Sequence, residues 1–278
     1  MTQDWIPVGA LGDAFAPDNN TLPPVADLSG KEICLHFENG WIIRHHFLSE
    51  DRLTWEVLRG EANPGLDTDN YVATCPRPGI YLVDFVKHCE AATSVSLVLD
   101  LENGVFIAVI GTLPDREEAS LSMLERIDRK LELTGVRSSF LRGTLDRDFS
   151  PAAPLPQQTR DLIGKRIEYR YNRQENYEHI YLNDRSYSWH CLEGSERGLC
   201  DTDTCHYYKI GNGLYLFVWR EKIVPTLGLI CIDLHAMKTT GKILGYEQHD
   251  FRSIRNFGVG AFARIVGSIA HHGTESQA

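Results

Sequence analysis

Two tyrosines near the middle of the chain have the spacing to share one site. Tyr169 and Tyr171 are separated by a single residue, and residues two apart in a β-strand face the same side of a sheet. Glu221 ends a later strand-like run, and a carboxyl group beside apolar walls has a raised pKa that suits proton transfer. The pattern predicts two phenols and a proton-transferring carboxyl in one cup. Alternatively, the two tyrosines are ordinary aromatic residues of a strand and Glu221 is a solvated turn residue.

The segments that carry these residues belong to an internal repeat. Residues 29–111 match residues 163–245 at a nearly constant offset of 134 positions, for example Trp55 with Trp189. Short runs of β-branched and aromatic residues recur about every ten residues in both copies, which is typical of an antiparallel meander and leaves no room for βαβ crossovers. We therefore predict an all-β protein with two tandem antiparallel β-barrels related by internal duplication.

Composition shifts predict the domain boundaries. An N-terminal extension rich in Pro and Asp covers residues 1–28 and is expected to lie on a surface. The N-terminal β-barrel covers residues 29–145, a linker with three prolines covers residues 146–161, and the C-terminal β-barrel covers residues 162–278. The closing strands of the two barrels are predicted at SSFLRGTLD and at FARIVGSIA.

One short helix is predicted between the barrels. Asp115 and Glu118 match a capping box, and apolar residues follow at helical spacing, so the helix should end near Gly135. A helix that closes or buttresses one barrel end is favoured over a mobile lid.

Charge and motifs exclude several classes of function. The net charge of −10 is spread along the whole chain, which argues against binding to nucleic acid or to an anionic membrane. No apolar run has the length of a membrane span, and the N-terminus lacks the pattern of a signal peptide, so we expect a cytoplasmic protein. Signature motifs for phosphate binding, dinucleotide binding, zinc proteolysis and serine hydrolysis are absent.

The sequence favours neither a metal nor a cofactor. The seven cysteines form no Cys-x-x-Cys pair, so reduced thiols are expected. The run from Cys200 to His206 groups ligand-type side chains but lacks a second pair for a tetrahedral site. His45 and His179 occupy matching positions in the two copies, which favours shared packing over ligand binding.

The second copy resembles the phenolic acid decarboxylases, which are small, cofactor-free enzymes with a lipocalin-like (calycin) barrel. The resemblance covers most of residues 162–251 and rests on Tyr169-Arg170-Tyr171, on SYSWHCLEG at 186–194, and on the strand LYLFVWRE that ends at Glu221. It implies that Tyr169 and Tyr171 hold an oxyanion and that Glu221 is the general acid or base. The arginine of that family falls at His190, which would join them as a catalytic residue. The resemblance also implies a substrate pocket lined by His179, Trp189, Tyr215 and Trp219.

Over its full length the duplicated chain is similar to the MoaF family, whose name refers to molybdenum cofactor biosynthesis. The first copy departs from the decarboxylase pattern, because Leu35 and Phe37 replace the two tyrosines, Lys87 replaces the glutamate and Glu56 aligns with His190. We therefore expect the site in the C-terminal barrel and a structural role for the N-terminal barrel. Since the decarboxylases pair two identical barrels, the chain would be a monomer resembling a fused dimer, or a homodimer.

Three functions follow as hypotheses. The leading one is a cofactor-independent lyase that acts on a small aromatic or unsaturated carboxylate or enone by proton transfer in the C-terminal barrel. The second is a lipocalin-like protein that binds a small molecule without turning it over. The third is an accessory protein in molybdenum cofactor biosynthesis.

Overall fold

The structure, a computed structural model, describes residues 5–61 and 65–269. The chain folds into two compact units, each containing one barrel. The N-terminal unit consists of residues 22–131 and 135–157; the C-terminal unit consists of residues 5–21, 132–134 and 158–269.

The N-terminal barrel is a closed antiparallel sheet of eight strands in sequence order. Residues of each strand alternate between the core and the outer face, so every second residue of the fifth strand, namely Tyr81, Val83 and Phe85, faces the core. The last strand pairs with the first, so that no edge is left open. The strands are β1 (Glu32–Phe37), β2 (Ile42–Phe47), β3 (Arg52–Arg59), β4 (Leu66–Arg77), β5 (Ile80–Val86), β6 (Thr93–Asp100), β7 (Val105–Thr112) and β8 (Arg137–Leu145).

Two short helices, α2 (Arg116–Ser120) and α3 (Met123–Asp128), lie between β7 and β8 where the sequence predicted one. Asp115 caps α2, as predicted, by accepting a hydrogen bond from the backbone N–H of Glu118 at 2.8 Å. Leu121 then adopts an extended backbone, and Ser122 starts α3 with its own capping box. The apolar face expected on one long helix is therefore not buried, and Leu124 is 74% exposed.

The C-terminal barrel repeats the same architecture with additional strands. Eight strands close the ring in the order β12-β11-β10-β18-β16-β15-β14-β13, with β12 paired to β13, and β17 forms a hairpin with β16. The two predicted closing strands are confirmed as β8 and β18. The strands are β9 (Gln157–Gln158), β10 (Lys165–Arg170), β11 (Asn176–Tyr181), β12 (Ser186–Glu193), β13 (Cys200–Gly211), β14 (Leu214–Glu221), β15 (Thr226–Asp233), β16 (Lys238–Tyr246), β17 (Ile254–Val259) and β18 (Phe262–Ser268).

The N-terminal segment packs into the C-terminal barrel instead of covering a surface. Helix α1 (Val8–Phe15) buries Val8 and Phe15 in the aromatic core of that barrel. Gly9 and Gly245 allow this close approach, since a Cβ at Gly9 would lie 2.3 Å from the carbonyl oxygen of Glu247, and one at Gly245 would lie 2.2 Å from Val8 Cγ2. None of the described helices has the length and apolar character needed to cross a lipid bilayer.

Candidate functional site

The interior of the C-terminal barrel, here called the C-terminal cup, brings together most of the residues that the sequence singled out. Tyr169 is fully buried at the end of β10, and its hydroxyl oxygen lies 2.6 Å from that of Tyr181. Tyr171 follows on the same face and stacks on Phe15 with ring centroids 4.6 Å apart. Burial raises the pKa of both Tyr169 and Tyr171, so both phenols are protonated at neutral pH.

Glu221 lies at the end of β14 beside the indole of Trp219, whose Nε1 donates a hydrogen bond to Oε1 at 2.8 Å. Burial, followed by the nearby carboxylates of Asp203 and Glu196, raises the pKa of Glu221 well above its usual range. A raised pKa favours the protonated carboxyl, which is the form that can donate a proton. The direction of this pKa shift agrees with the one expected from the sequence, and the role of Glu221 as general acid or base stays a prediction.

The C-terminal cup is nearly full. Its remaining cavity is about 40 Å³, close to the volume that one water molecule occupies. Side chains from the N-terminal segment close it: Trp5, Ile6, Val8, Leu11 and Phe15 line the cavity together with Tyr171, Tyr177, His179, Tyr187, Trp189, Glu196, Trp219, Glu221, Val224, Thr226 and Ile243. No substrate of the size of a hydroxycinnamate fits beside Glu221 while residues 5–15 stay in place.

Three predicted site residues, Tyr169, His190 and Tyr215, do not line this cavity. His190 is on the opposite face of β12 from Trp189, because neighbouring residues of a strand alternate between faces and Trp189 faces the core. Tyr215 faces inward but at the far end of β14, where its hydroxyl donates to Asp161 Oδ2 at 3.1 Å. His190 and Tyr215 are therefore not brought together with Glu221.

The N-terminal barrel contains the larger cavity, about 510 Å³, which is a size typical of small-molecule sites. We call it the N-terminal cup. Its wall is mainly apolar, and charged side chains lie at one end near β4 and the turn after β5. The lining residues are Phe37, Trp41, Ile43, His45, Trp55, Val57, Gly65, Leu66, Asp67, Phe85, Lys87, Cys89, Glu90, Val95, Leu97, Ala108, Ile110 and Leu141.

Equivalent deep positions of the two barrels also hold side chains of different size. Three deep positions that are aromatic in the C-terminal barrel are aliphatic in the N-terminal barrel, and all six side chains are buried. The pairs are Leu35 with Tyr169, Leu53 with Tyr187, and Val83 with Phe217. The three aliphatic residues do not line the N-terminal cup, so side-chain volume at these pairs does not by itself locate it. The tyrosine pair and Glu221 indicated the filled barrel instead.

A charged cluster is repeated next to both cups. Asp67, Asp69 and His88 offer three ligand-type atoms within 4.8 Å of one another. His88 Nδ1 lies 2.9 Å from Asp69 Oδ1 and its Nε2 lies 3.2 Å from Asp67 Oδ1, and these contacts raise the pKa of His88. In the C-terminal barrel, Lys222 stands at the position of His88. It contacts the equivalent aspartates, Asp201 and Asp203, with Nζ 3.4 Å from Asp203 Oδ1. Each barrel thus places one basic side chain against two aspartates.

Comparisons with known proteins agree with the duplicated architecture. A family model described as the MoaF N-terminal domain matches residues 3–115, and one described as the MoaF C-terminal domain matches residues 156–269. A protein named MoaF from Klebsiella aerogenes is 40% identical over 267 residues, covering 96% of this chain and 97% of its own. A crystal structure of a candidate beta-lactamase from Burkholderia vietnamiensis is 15% identical and covers 40% of this chain and 100% of its own, with a TM-score of 0.33. A score this low carries no argument.

Proposed function

We propose that this chain, which belongs to the MoaF family, is a small-molecule binding protein whose ligand site is the N-terminal cup. The observation that carries the proposal is the cavity of about 510 Å³ with its mainly apolar wall. A folded barrel normally fills its interior with side chains, because empty apolar space forfeits contacts. A cavity of this size in one repeat, beside a filled cup in the other, indicates an occupant.

The geometry favours binding in this cup over lyase chemistry in the C-terminal cup. A lyase that acts on an aromatic or unsaturated carboxylate or enone needs its substrate beside Tyr171 and Glu221. Residues 5–15 of this chain occupy that space and leave a cavity of about 40 Å³. The N-terminal cup has the volume but lacks the phenols and the carboxyl, since Phe37 and Lys87 stand at the equivalent positions.

Family membership supports a second, broader function. Matches to both MoaF domains and a relative named MoaF at 40% identity favour an accessory role in molybdenum cofactor biosynthesis, as the family name implies. The two functions are compatible, because an accessory protein can act by holding a small molecule.

Titration with 8-anilinonaphthalene-1-sulfonate (ANS), a dye that fluoresces in apolar sites, tests the binding function. We expect one dye molecule per chain and at least tenfold weaker binding in Ala108→Phe, because Ala108 lines the cup and is only 1% exposed. Ile110→Trp repeats the test at a second lining position. Val72→Phe adds the same ring on the exposed outer face of β4 and should bind like wild type. Equal affinity in all four proteins would contradict a site in the N-terminal cup.

A genetic test addresses the accessory role. Deletion of the gene should lower molybdoenzyme activity in the cell, and the wild-type gene and Val72→Phe should restore it. Ala108→Phe should fail to restore activity if the cup carries the function. Normal molybdoenzyme activity in the deletion strain would argue against this role while leaving ligand binding to be judged by the titration.

A further inference from the structure

The histidine shared by the two barrels lies in very different surroundings. In the C-terminal cup, five aromatic rings surround His179, with centroids 4.8 to 6.1 Å from the imidazole. Such separations are typical of edge-to-face and tilted ring pairs, which stabilise a core beyond the burial of their area. The five rings belong to Tyr169, Tyr181, Tyr187, Phe217 and Trp219.

In the N-terminal cup, three of those five rings are missing around His45. Leu35, Leu53 and Val83 stand at the positions of Tyr169, Tyr187 and Phe217, while Phe47 and Phe85 keep the other two rings. The Phe85 ring centroid lies 6.3 Å from that of His45. His45 lines the cavity of about 510 Å³ together with Trp55 and Phe85, whereas Leu35, Leu53 and Val83 lie outside its lining.

The N-terminal segment supplies further rings to the filled cup. Trp5 packs edge to face on Trp189 with centroids 5.9 Å apart, and Phe15 stacks on Tyr171. Trp55, the equivalent of Trp189, lines the N-terminal cup and presents the same kind of surface to its interior. Two of the five side chains with which the N-terminal segment closes the C-terminal cup are aromatic, and they show the ring contacts that an occupant of the N-terminal cup can make.

The imidazole of His45 has a backbone hydrogen bond with Ile43, which opposes the effect of burial on its pKa, and its Nδ1 is unpaired like that of His179. The residue is 3% exposed, and among the described residues its Nδ1 has no hydrogen-bond partner. A buried polar atom without a partner costs free energy. Burial lowers the pKa of His45 to about 4, so at neutral pH the ring offers one N–H donor and one acceptor nitrogen. A ligand with a hydroxyl or carbonyl group could supply the missing hydrogen bond.

We propose that the N-terminal cup takes a planar aromatic or heteroaromatic molecule whose hydrogen-bonding substituent reaches His45. The proposal rests on the function proposed above and names the class of ligand. The ring system packs against Phe37, Trp55 and Phe85, which line the cup. The substituent bonds to the imidazole.

Three bicyclic compounds distinguish the need for an aromatic ring system from the need for a hydrogen-bonding substituent. Binding of 2-naphthol, naphthalene and decahydro-2-naphthol to the full chain is measured by competition with ANS. Decahydro-2-naphthol keeps the hydroxyl and the carbon skeleton but is saturated and more hydrophobic, so non-specific partitioning would favour it. We expect 2-naphthol to bind at least fivefold more tightly than decahydro-2-naphthol and at least threefold more tightly than naphthalene.

Variants of His45 locate the hydrogen bond. His45→Phe should remove the preference for 2-naphthol over naphthalene, while His45→Gln, which retains a donor and an acceptor, should keep most of it. His46→Phe is the matched control, because His46 is the next residue of β2 and faces outward; it should bind like wild type. If His45→Phe does not fold, His45→Gln compared with His45→Leu gives the same contrast.

Each outcome has one meaning. Tighter binding of 2-naphthol, lost in His45→Phe and kept in His46→Phe, supports the proposal. ANS binding with equal affinity for all three compounds overturns the aromatic ligand class but leaves the cup as a ligand site. Absence of binding for ANS and for all three compounds overturns the proposed function and this inference together.

Discussion

Glu196 should make the stability of the C-terminal barrel depend on pH. Its side chain lines the small cavity closed by α1, and Tyr177 donates a hydrogen bond to Oε2 at 3.0 Å. Burial, with a smaller contribution from Glu175, raises the pKa of Glu196 from its ordinary 4.5 to about 7. The hydrogen bond from Tyr177 opposes this change but does not cancel it.

The size and sign of the effect follow from this pKa. A tenfold change in an ionisation constant corresponds to about 1.4 kcal/mol, so the raised pKa amounts to about 3 kcal/mol. Below pH 4.5 the carboxyl is protonated in both the folded and the unfolded chain, and no stability is lost. As the pH rises from 4.5 through 7, the unfolded chain ionises first, and the folded barrel loses up to about 3 kcal/mol of unfolding free energy.

Glu196→Gln keeps the size of the side chain and an acceptor for Tyr177 but removes this ionisation. The free energy of unfolding of the C-terminal barrel is read from the urea dependence of amide exchange in peptides from β11 and β12, at several pH values between 4.5 and 8. As the pH rises across this range, the free energy of unfolding of the variant should increase by about 3 kcal/mol relative to that of wild type. Glu193→Gln, at an exposed carboxyl of the same barrel, is the control. Parallel curves for wild type and Glu196→Gln would refute the reasoning.

Two further predictions concern the charged cluster and the N-terminal segment. The hydrogen bond to Asp69 raises the pKa of His88 above 6.5, so its stabilising contribution is complete below pH 6.5 and falls as the pH rises through the folded-state pKa. His88→Lys should flatten this dependence in thermal melts between pH 5.5 and 8, and an unchanged slope would argue against the ion pairs. Phe15→Ala removes the ring stacked on Tyr171 and should destabilise α1 docking by about 3 kcal/mol or more. Faster amide exchange confined to residues 5–15 would show this, and unchanged exchange there would contradict the closing role of α1.

The architecture was largely predictable because strand alternation and duplication leave a direct signal in the sequence. Inward-facing residues recur at every second position, as in Tyr215, Phe217 and Trp219, and the repeat shows this twice. The shared inward face of Tyr169 and Tyr171 followed from the same period. The two closing strands were also identified, because each repeat needed a last strand to cover its edge.

The helices were harder to predict because their ends depend on local backbone hydrogen bonds. The apolar spacing between β7 and β8 suggested one helix, but Ser122 starts a second one through its own capping box. In α1, the apolar residues Val8, Leu11 and Phe15 do follow helical spacing. The Pro and Asp content of residues 1–28 suggested a surface segment. Gly9 instead allows the helix to approach the barrel closely.

The location of the open cup could not be read from residue chemistry. A tyrosine pair and a glutamate indicate reactive groups, but whether a substrate can reach them depends on the volume that all neighbours leave free. In the C-terminal cup the rings of the barrel and of residues 5–15 fill that volume. The N-terminal cup keeps a cavity of about 510 Å³.

The most direct test of the central claim is the position of a bound aromatic ligand. Crystals of the full chain soaked with 6-bromo-2-naphthol would locate the bromine by its anomalous scattering. The account predicts one bromine site per chain, inside the N-terminal cup beside Trp55 and Phe85, with the hydroxyl oxygen within hydrogen-bond distance of His45. A bromine site in the C-terminal cup next to Glu221, with residues 5–15 displaced, would contradict it.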